Sequence, residues 1–201
     1  MADSPYHSAE VRAECRESLV RELLLRTFSH DVRGAVMGVM GWVELTAMEG
    51  VAVPQGLTRS LEKLNHVVSQ SDDAALGVQS ELVDLGPLLS EVLGIPVEGI
   101  GVPVHATPLR LLAAMELAAP SSVHVTVEPR GGRMCVRMQL HGLKAEGVQF
   151  AMAPHFASLL DHIARRDPTV GASLLRVVAR SSGAELRGEP PDRVNLYFPL
   201  P

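Results

Sequence analysis

Within "TFSHDVRGAV", residues 27 to 36, His30 is followed directly by Asp31. An imidazole is a nucleophile once one nitrogen is freed of its proton, and a neighbouring carboxylate can arrange that. Asp31 can accept the Nδ1–H, which selects the tautomer with a lone pair on Nε2. It can also stabilise the charge that develops as Nε2 attacks phosphorus. Phosphoryl transfer asks mainly for positioning and charge neutralisation, so a solvent-facing histidine with an adjacent acid is a suitable acceptor. The competing reading is an ordinary solvated His–Asp pair on a helix surface.

The surrounding residues must position that pair. Residues 8 to 49 show helical periodicity, with Leu25, Phe28, Val32, Val36, Val39 and Val43 recurring at steps of three or four as one apolar stripe. Val11, Cys15 and Leu19 continue it upstream. A helix of ~40 residues far exceeds the globular mean and needs a partner along its length. "EGVAVPQG" (49 to 56) is the break, and Leu57, Leu61, Leu64, Val67 and Val68 predict a second helix running to about Gly77. A lone helical hairpin exposes its stripe, so two chains are expected to pair into a four-helix bundle.

On a helix turning about 100° per residue, His30 stands about 200° from Phe28 and Val32, off the stripe. His30, Gly34, Met37, Gly38 and Gly41 share a rough common face. Helical glycines cost about 1 kcal/mol each relative to alanine, so something must offset three of them. A face without side-chain bulk admits another protein close to the histidine. Tight packing inside the bundle would use the same glycines. Trp42 borders this face, as a docking anchor or as bundle packing. His66 on the second helix reads as a surface or core-edge residue.

Composition narrows the function classes. Apolar residues make up 46 % of 201, enough for a core, but aromatics are only 3 %, which disfavours base-stacking platforms. The net charge of −5 with no basic cluster argues against nucleic acid. No signal peptide and no run of ~20 apolar residues is seen, so a soluble cytoplasmic protein with no membrane contact is expected. Cys15 and Cys135 are read as reduced thiols. CxxC and HExxH are missing, and His105, His124, His141, His155 and His162 share no ligand spacing, so no metal site is expected.

The texture changes after residue 82, which divides the chain into 1–82, the hairpin, and 83–201. "LVDLGPLLSEVLG" reads as a linker entering a short helix, and "TPLRLLAAMELA" (107 to 118) as another helix. "VHVTVEPRGGRMCVRMQL" is a β-hairpin around a Gly-Gly turn. "PHFASLLDHIARR" and "TVGASLLRVVARSSGAEL" read as helices, the second stopped by Gly183, and "RVNLYF" as the last strand. The predicted class is α+β.

"FSHDVRGAVMGVMGWVEL" resembles the phosphoacceptor box of sensor histidine kinases, approximately F-S-H-[DE]-[LI]-R-[TN]-P-L. Phe28, Ser29, His30, Asp31 and Arg33 match and Val32 is a conservative fit. That family carries the box on the first helix of a dimeric four-helix bundle. Gly34 stands where the family has the Thr or Asn that orients water in its phosphatase reaction, which implies weak or absent phosphatase activity. Ala35 replaces the usual proline, which implies a straighter helix.

Residues 83–201 resemble the kinases' ATP-binding α/β sandwich in outline, in a degenerate form. "VGASLLRVVARSSGAELRG" resembles the helix "GLGLSIVKRIVELHGGRI", with Gly171 at the second glycine and Gly183 at the stop. "VNLYFPLP" resembles the terminal strand. The helix 107–118 takes the place of the N box without an asparagine; the chain has only Asn65 and Asn195. "LHGLK" (140 to 144) puts Leu140 where the adenine-reading Asp belongs, and no Gly-rich lid is visible. ATP binding therefore has no visible basis, and no cofactor is expected.

The combination resembles the dimeric histidine phosphotransferases of the ChpT type and their sporulation counterpart. It implies a relay in a two-component phosphorelay between the aspartates of response-regulator receiver domains, with His30 as acceptor and the receiver supplying Mg²⁺. Asp31 would orient His30, Arg33 would help neutralise phosphate, and Gly34, Met37, Gly38 and Gly41 would form part of the docking surface. A strongly divergent ATP-dependent histidine kinase and a non-catalytic dimeric scaffold or regulator are the alternatives.

Overall fold

The computed structural model describes residues 6, 8–73, 80–94, 96–99, 101–118, 123–140 and 143–201. The chain forms two compact units, Leu24–Leu76 and Met1–Leu23 with Gly77–Pro201. The first helix, α1 (Ala9–Met48), therefore contributes its opening turns to the second of these. The boundary read at residue 82 kept those turns with the hairpin. They join the C-terminal unit through ion pairs that composition does not show. Arg12 Nε lies 2.5 Å from Glu116 Oε1, and the largely buried Arg110 and Glu22 are paired.

The unit 24–76 is a helical hairpin of α1 and α2 (Gln55–Asp73). Gly50 turns the chain at φ 80°, a left-handed conformation that glycine adopts without strain. The described part of α2 stops at Asp73, and its expected extension to Gly77 lies outside the described residues. Along α1 the buried positions Ser29, Val36 and Val43 recur every seven residues, the spacing of a two-helix seam. Val68 is the buried apolar residue of α2, and its carbonyl accepts from Arg33 Nη2 at 3.4 Å.

The stripe read from the sequence divides here. Val36 and Val43 are buried, whereas Leu25, Phe28 and Val39 are exposed within the chain. All six lie within about 80° of one another on a straight helix, so what separates them is which of these positions has a neighbour within the chain and not their direction.

The other unit is α+β. Its elements after α1 run β1 (Glu81–Val83), α3 (Leu85–Leu93), β2 (Val97–Gly99), β3 (Val104–Ala106), α4 (Pro108–Ala118), β4 (Val123–Arg130) and β5 (Arg133–Leu140). Next come α5 (Ala145–Met152), α6 (Phe156–Ala164), α7 (Pro168–Ser181), β6 (Glu185–Glu189) and β7 (Arg193–Pro199). β1 and β3 form a small antiparallel ribbon, and the main sheet has the order β2-β4-β5-β7-β6. Only the β2–β4 pairing in it is parallel. The Gly131–Gly132 turn has positive φ at both residues, which matches the twist of the β4–β5 hairpin it closes.

Register explains the core. Val127, Val136, Leu196 and Leu186 lie in one row across four strands, with Val125, Met138 and Val194 in the next. Residues of this face from the inner strands are buried, as are Leu111, Leu112 and Met115 of α4 and Leu174, Leu175 and Val178 of α7. The opposite face carries Thr126, Arg137, Asn195 and Arg187 in register. Alternation of this kind is the mark of a sheet with one face on the core.

α7 starts at Pro168 behind an N-cap, Asp167, whose side chain accepts from the Thr169 N–H. Its Gly171 packs against the last turn of α4: a Cβ there would stand 2.1 Å from the Ala118 nitrogen. No side chain other than glycine's hydrogen fits. Gly171→Ala is expected to lower the unfolding free energy by about 2–3 kcal/mol, the range of core overpacking, as measured by urea denaturation.

Candidate functional site

His30 stands on α1 with its side chain 79 % exposed, and its Nδ1 lies 3.3 Å from Asp31 Oδ1. Consecutive helical residues diverge by about 100°, so such a pair meets only when both side chains lean together. The contact is long for a hydrogen bond and open to water on the histidine side. Asp31 therefore biases the tautomer toward Nδ1–H without locking the ring. Nε2 is left facing outward as an acceptor or nucleophile.

Three glycines follow below the histidine. A Cβ built on Gly34, Gly38 or Gly41 meets nothing within 4 Å. The chain itself thus makes no use of their smallness, and each forgoes the helix propensity of an alanine. Met37, about 20° around the helix from His30, is exposed as well. The same face continues further than the sequence reading took it. Leu45 lies about 60° from His30 and Met48 directly beneath it five turns on, and both are exposed, Met48 by 84 %. The spacing 30, 37, 41, 48 carried that signal. What results is a strip of low bulk with apolar residues along it, running from the histidine to the hairpin turn.

A second exposed apolar face lies on the far side of α1. Phe28 and Val39 are about 160° and 180° from His30, and α2 adds exposed Leu57, Leu64 and Val67. Trp42, also exposed, sits about 120° from His30, between this face and the glycine strip. Arg33 is half-buried, with its guanidinium at the Val68 carbonyl, one turn from His30. Asn65 and His66 are on α2, half-buried and exposed respectively.

Leu140 is buried at the end of β5, and His141 and Gly142 beside it lie outside the described residues. The space a side chain would take at Gly171 is filled by the backbone of Leu117 and Ala118. Asn195 lies within β7, away from α4 in sequence and strand position. Among the described residues no group of three His, Cys, Asp or Glu side chains gathers closely enough for a metal. Among them, too, no helix is long and apolar enough to cross a membrane.

No protein-family profile matches the chain, and no curated relative matches it. Several solved structures are similar in fold. A histidine kinase from Burkholderia phymatum aligns at 17 % identity over 95 % of this chain and 97 % of its own, with a TM-score of 0.47. The Acinetobacter baumannii histidine kinase AdeS aligns at 12 % over 84 % and 95 %, with a TM-score of 0.40. A bacterial phosphotransferase aligns at 17 % over 94 % and 97 %, with a TM-score of 0.35.

The open glycine face makes its own prediction. Gly38→Ala should stabilise the hairpin by about 1 kcal/mol, because the methyl gains helix propensity and meets no neighbour. Thermal and urea unfolding check it, and a loss of stability would show that the face is packed.

Proposed function

We propose that the chain is a histidine phosphotransferase of the ChpT type, which relays a phosphoryl group between receiver-domain aspartates through His30 without using ATP. The observation that carries this reading is the exposed His30, with Nδ1 at Asp31, above a strip of open glycines. A phosphorylated receiver docks along Gly34, Met37, Gly38 and Gly41, with Leu45 and Met48 extending the contact. His30 Nε2 attacks the aspartyl phosphate; the N–P bond forms, the P–O bond breaks, and the receiver's carboxylate leaves with its electron pair. Nδ1 keeps its proton, and Asp31 stabilises the positive ring. The reverse step hands the group to a second receiver. Mg²⁺ comes with the receiver, and Arg33 adds a guanidinium at the same end of the hairpin.

The second apolar face supports a homodimer. Phe28, Val39, Leu57, Leu64 and Val67 would be covered by a second copy in a four-helix bundle, which leaves the His30 faces outward. The absence of asparagine from α4, the buried Leu140 and the filled space at Gly171 support a reading without nucleotide. A receiver partner places the protein in the cytoplasm. The divergent kinase and the vestigial scaffold remain as the outcomes a test must separate.

Incubation with a phosphorylated receiver should give acid-labile, base-stable label on the wild type and none on His30→Ala. Asp31→Asn should slow transfer by about 10²-fold, within the range of lost acid–base assistance. Label from ATP alone would favour the kinase, and no label from any phosphorylated receiver would favour the scaffold. Val39→Glu should shift the dimer toward monomer in sedimentation equilibrium, since it sets a charge in the apolar face.

A further inference from the structure

A cavity of about 700 Å³ opens in the unit 1–23 and 77–201, apart from His30 and its strip. Its apolar lining is Val20 of α1, Leu117 of α4, Ile163 of α6 and Val170 of α7. Three guanidinium groups, Arg16, Arg21 and Arg166, stand with two carboxylates, Glu17 and Asp167. The volume lies in the range of small-molecule sites, which pair an apolar lining with a few polar anchors.

The cations have capacity to spare. Arg21 pairs with Glu17 at 3.3 Å on an exposed surface, and Arg16 reaches Glu116 only at 3.8 Å. Exposed pairs of this kind are weak and exchange readily. Asp167 is committed elsewhere. It accepts from the Thr169 N–H at 2.8 Å and lies 3.0 Å from His162 Nδ1. Burial raises its pKa, but these hydrogen bonds outweigh burial and keep the carboxyl below its usual range. Arg166 has no acidic partner among the described residues. It is also the one described non-glycine residue with positive φ, at 54°. That left-handed residue closes α6, with the Arg166 N–H donating to the Ile163 carbonyl and the Asp167 N–H to the His162 carbonyl. A local excess of arginine in a chain of net charge −5 favours one sign of ligand.

We propose that this cavity binds a small amphipathic organic anion, its apolar body against Val20, Leu117, Ile163 and Val170 and its phosphate or carboxylate head on Arg16, Arg21 and Arg166. Guanidinium forks suit such heads. One wall of the cavity is the opening part of α1, the helix that goes on to carry His30. The inference does not depend on phosphotransfer.

The test is calorimetric titration of the full chain with decyl phosphate below its micellar concentration. Saturable one-to-one binding is expected. Inorganic phosphate, which has only the head, and decyltrimethylammonium, which has the opposite charge, should both bind at least tenfold more weakly. Arg166→Gly should weaken decyl phosphate by about tenfold, the loss of one charge-assisted contact, while its melting temperature holds or rises because glycine accepts positive φ. The double variant Arg16→Gln/Arg21→Gln, at a half-buried and an exposed position, should weaken it as much and serves if Arg166→Gly melts early. Absence of saturation at millimolar ligand overturns the proposal. So does equal binding of the cationic amphiphile, or unchanged affinity in both variants. Arginine-dependent sedimentation with phosphatidylglycerol vesicles but no binding of monomeric ligand overturns it in favour of a membrane surface.

Discussion

The seven-residue recurrence of Ser29, Val36 and Val43 governs the helical unit. An α-helix has a fixed twist, so assigning one line of residues to burial assigns every other residue its direction. His30 follows Ser29 by one residue and is thereby rotated out of the buried line. Gly34, Met37 and Gly41 inherit the same outward direction, and Phe28 and Val39 the opposite one. The site is in this sense a by-product of the seam. A change of one residue in its register would turn the imidazole toward α2 and the apolar face toward the docking side.

The glycine strip gives up helix propensity along an exposed face. Among the described residues nothing presses on Gly34, Gly38 or Gly41, so none of their neighbours there uses their small size. They leave a backbone surface that can be reached without displacing side chains. Gly171 is the contrasting case, since α4 lies against it and the fold needs its small size. Glycine in a helix thus serves two different purposes in this chain, and only the neighbours distinguish them.

In the α+β unit, strand alternation divides the sheet cleanly into an apolar face and a polar one. The opening turns of α1 belong to this unit through the Arg12–Glu116 and Glu22–Arg110 pairs. Partly buried pairs of this kind are costly to break, because either partner alone is left as an unneutralised charge. They also place α1 as a wall of the arginine-bearing cavity.

Much of this was legible beforehand. The long helix, its break near Gly50, the Gly-Gly hairpin, α4, α7 and the last strand follow from periodicity and turn chemistry, which act over a few residues. Helix geometry sets the angle between His30 and the apolar stripe, whereas its contact with Asp31 depends on the two side chains leaning together. The three-residue strands β1, β2 and β3 were not readable, because so short a run has no alternation to detect, and α5 was hidden by its internal Gly147. The sequence by itself determined which residues share a helical face. Tertiary structure alone decided which face is buried, that the stripe divides in two, that Gly171 is closed while Gly38 is open, and that Arg16, Arg21 and Arg166 meet. Those outcomes depend on contacts between segments far apart in the chain, for which local spacing carries no information.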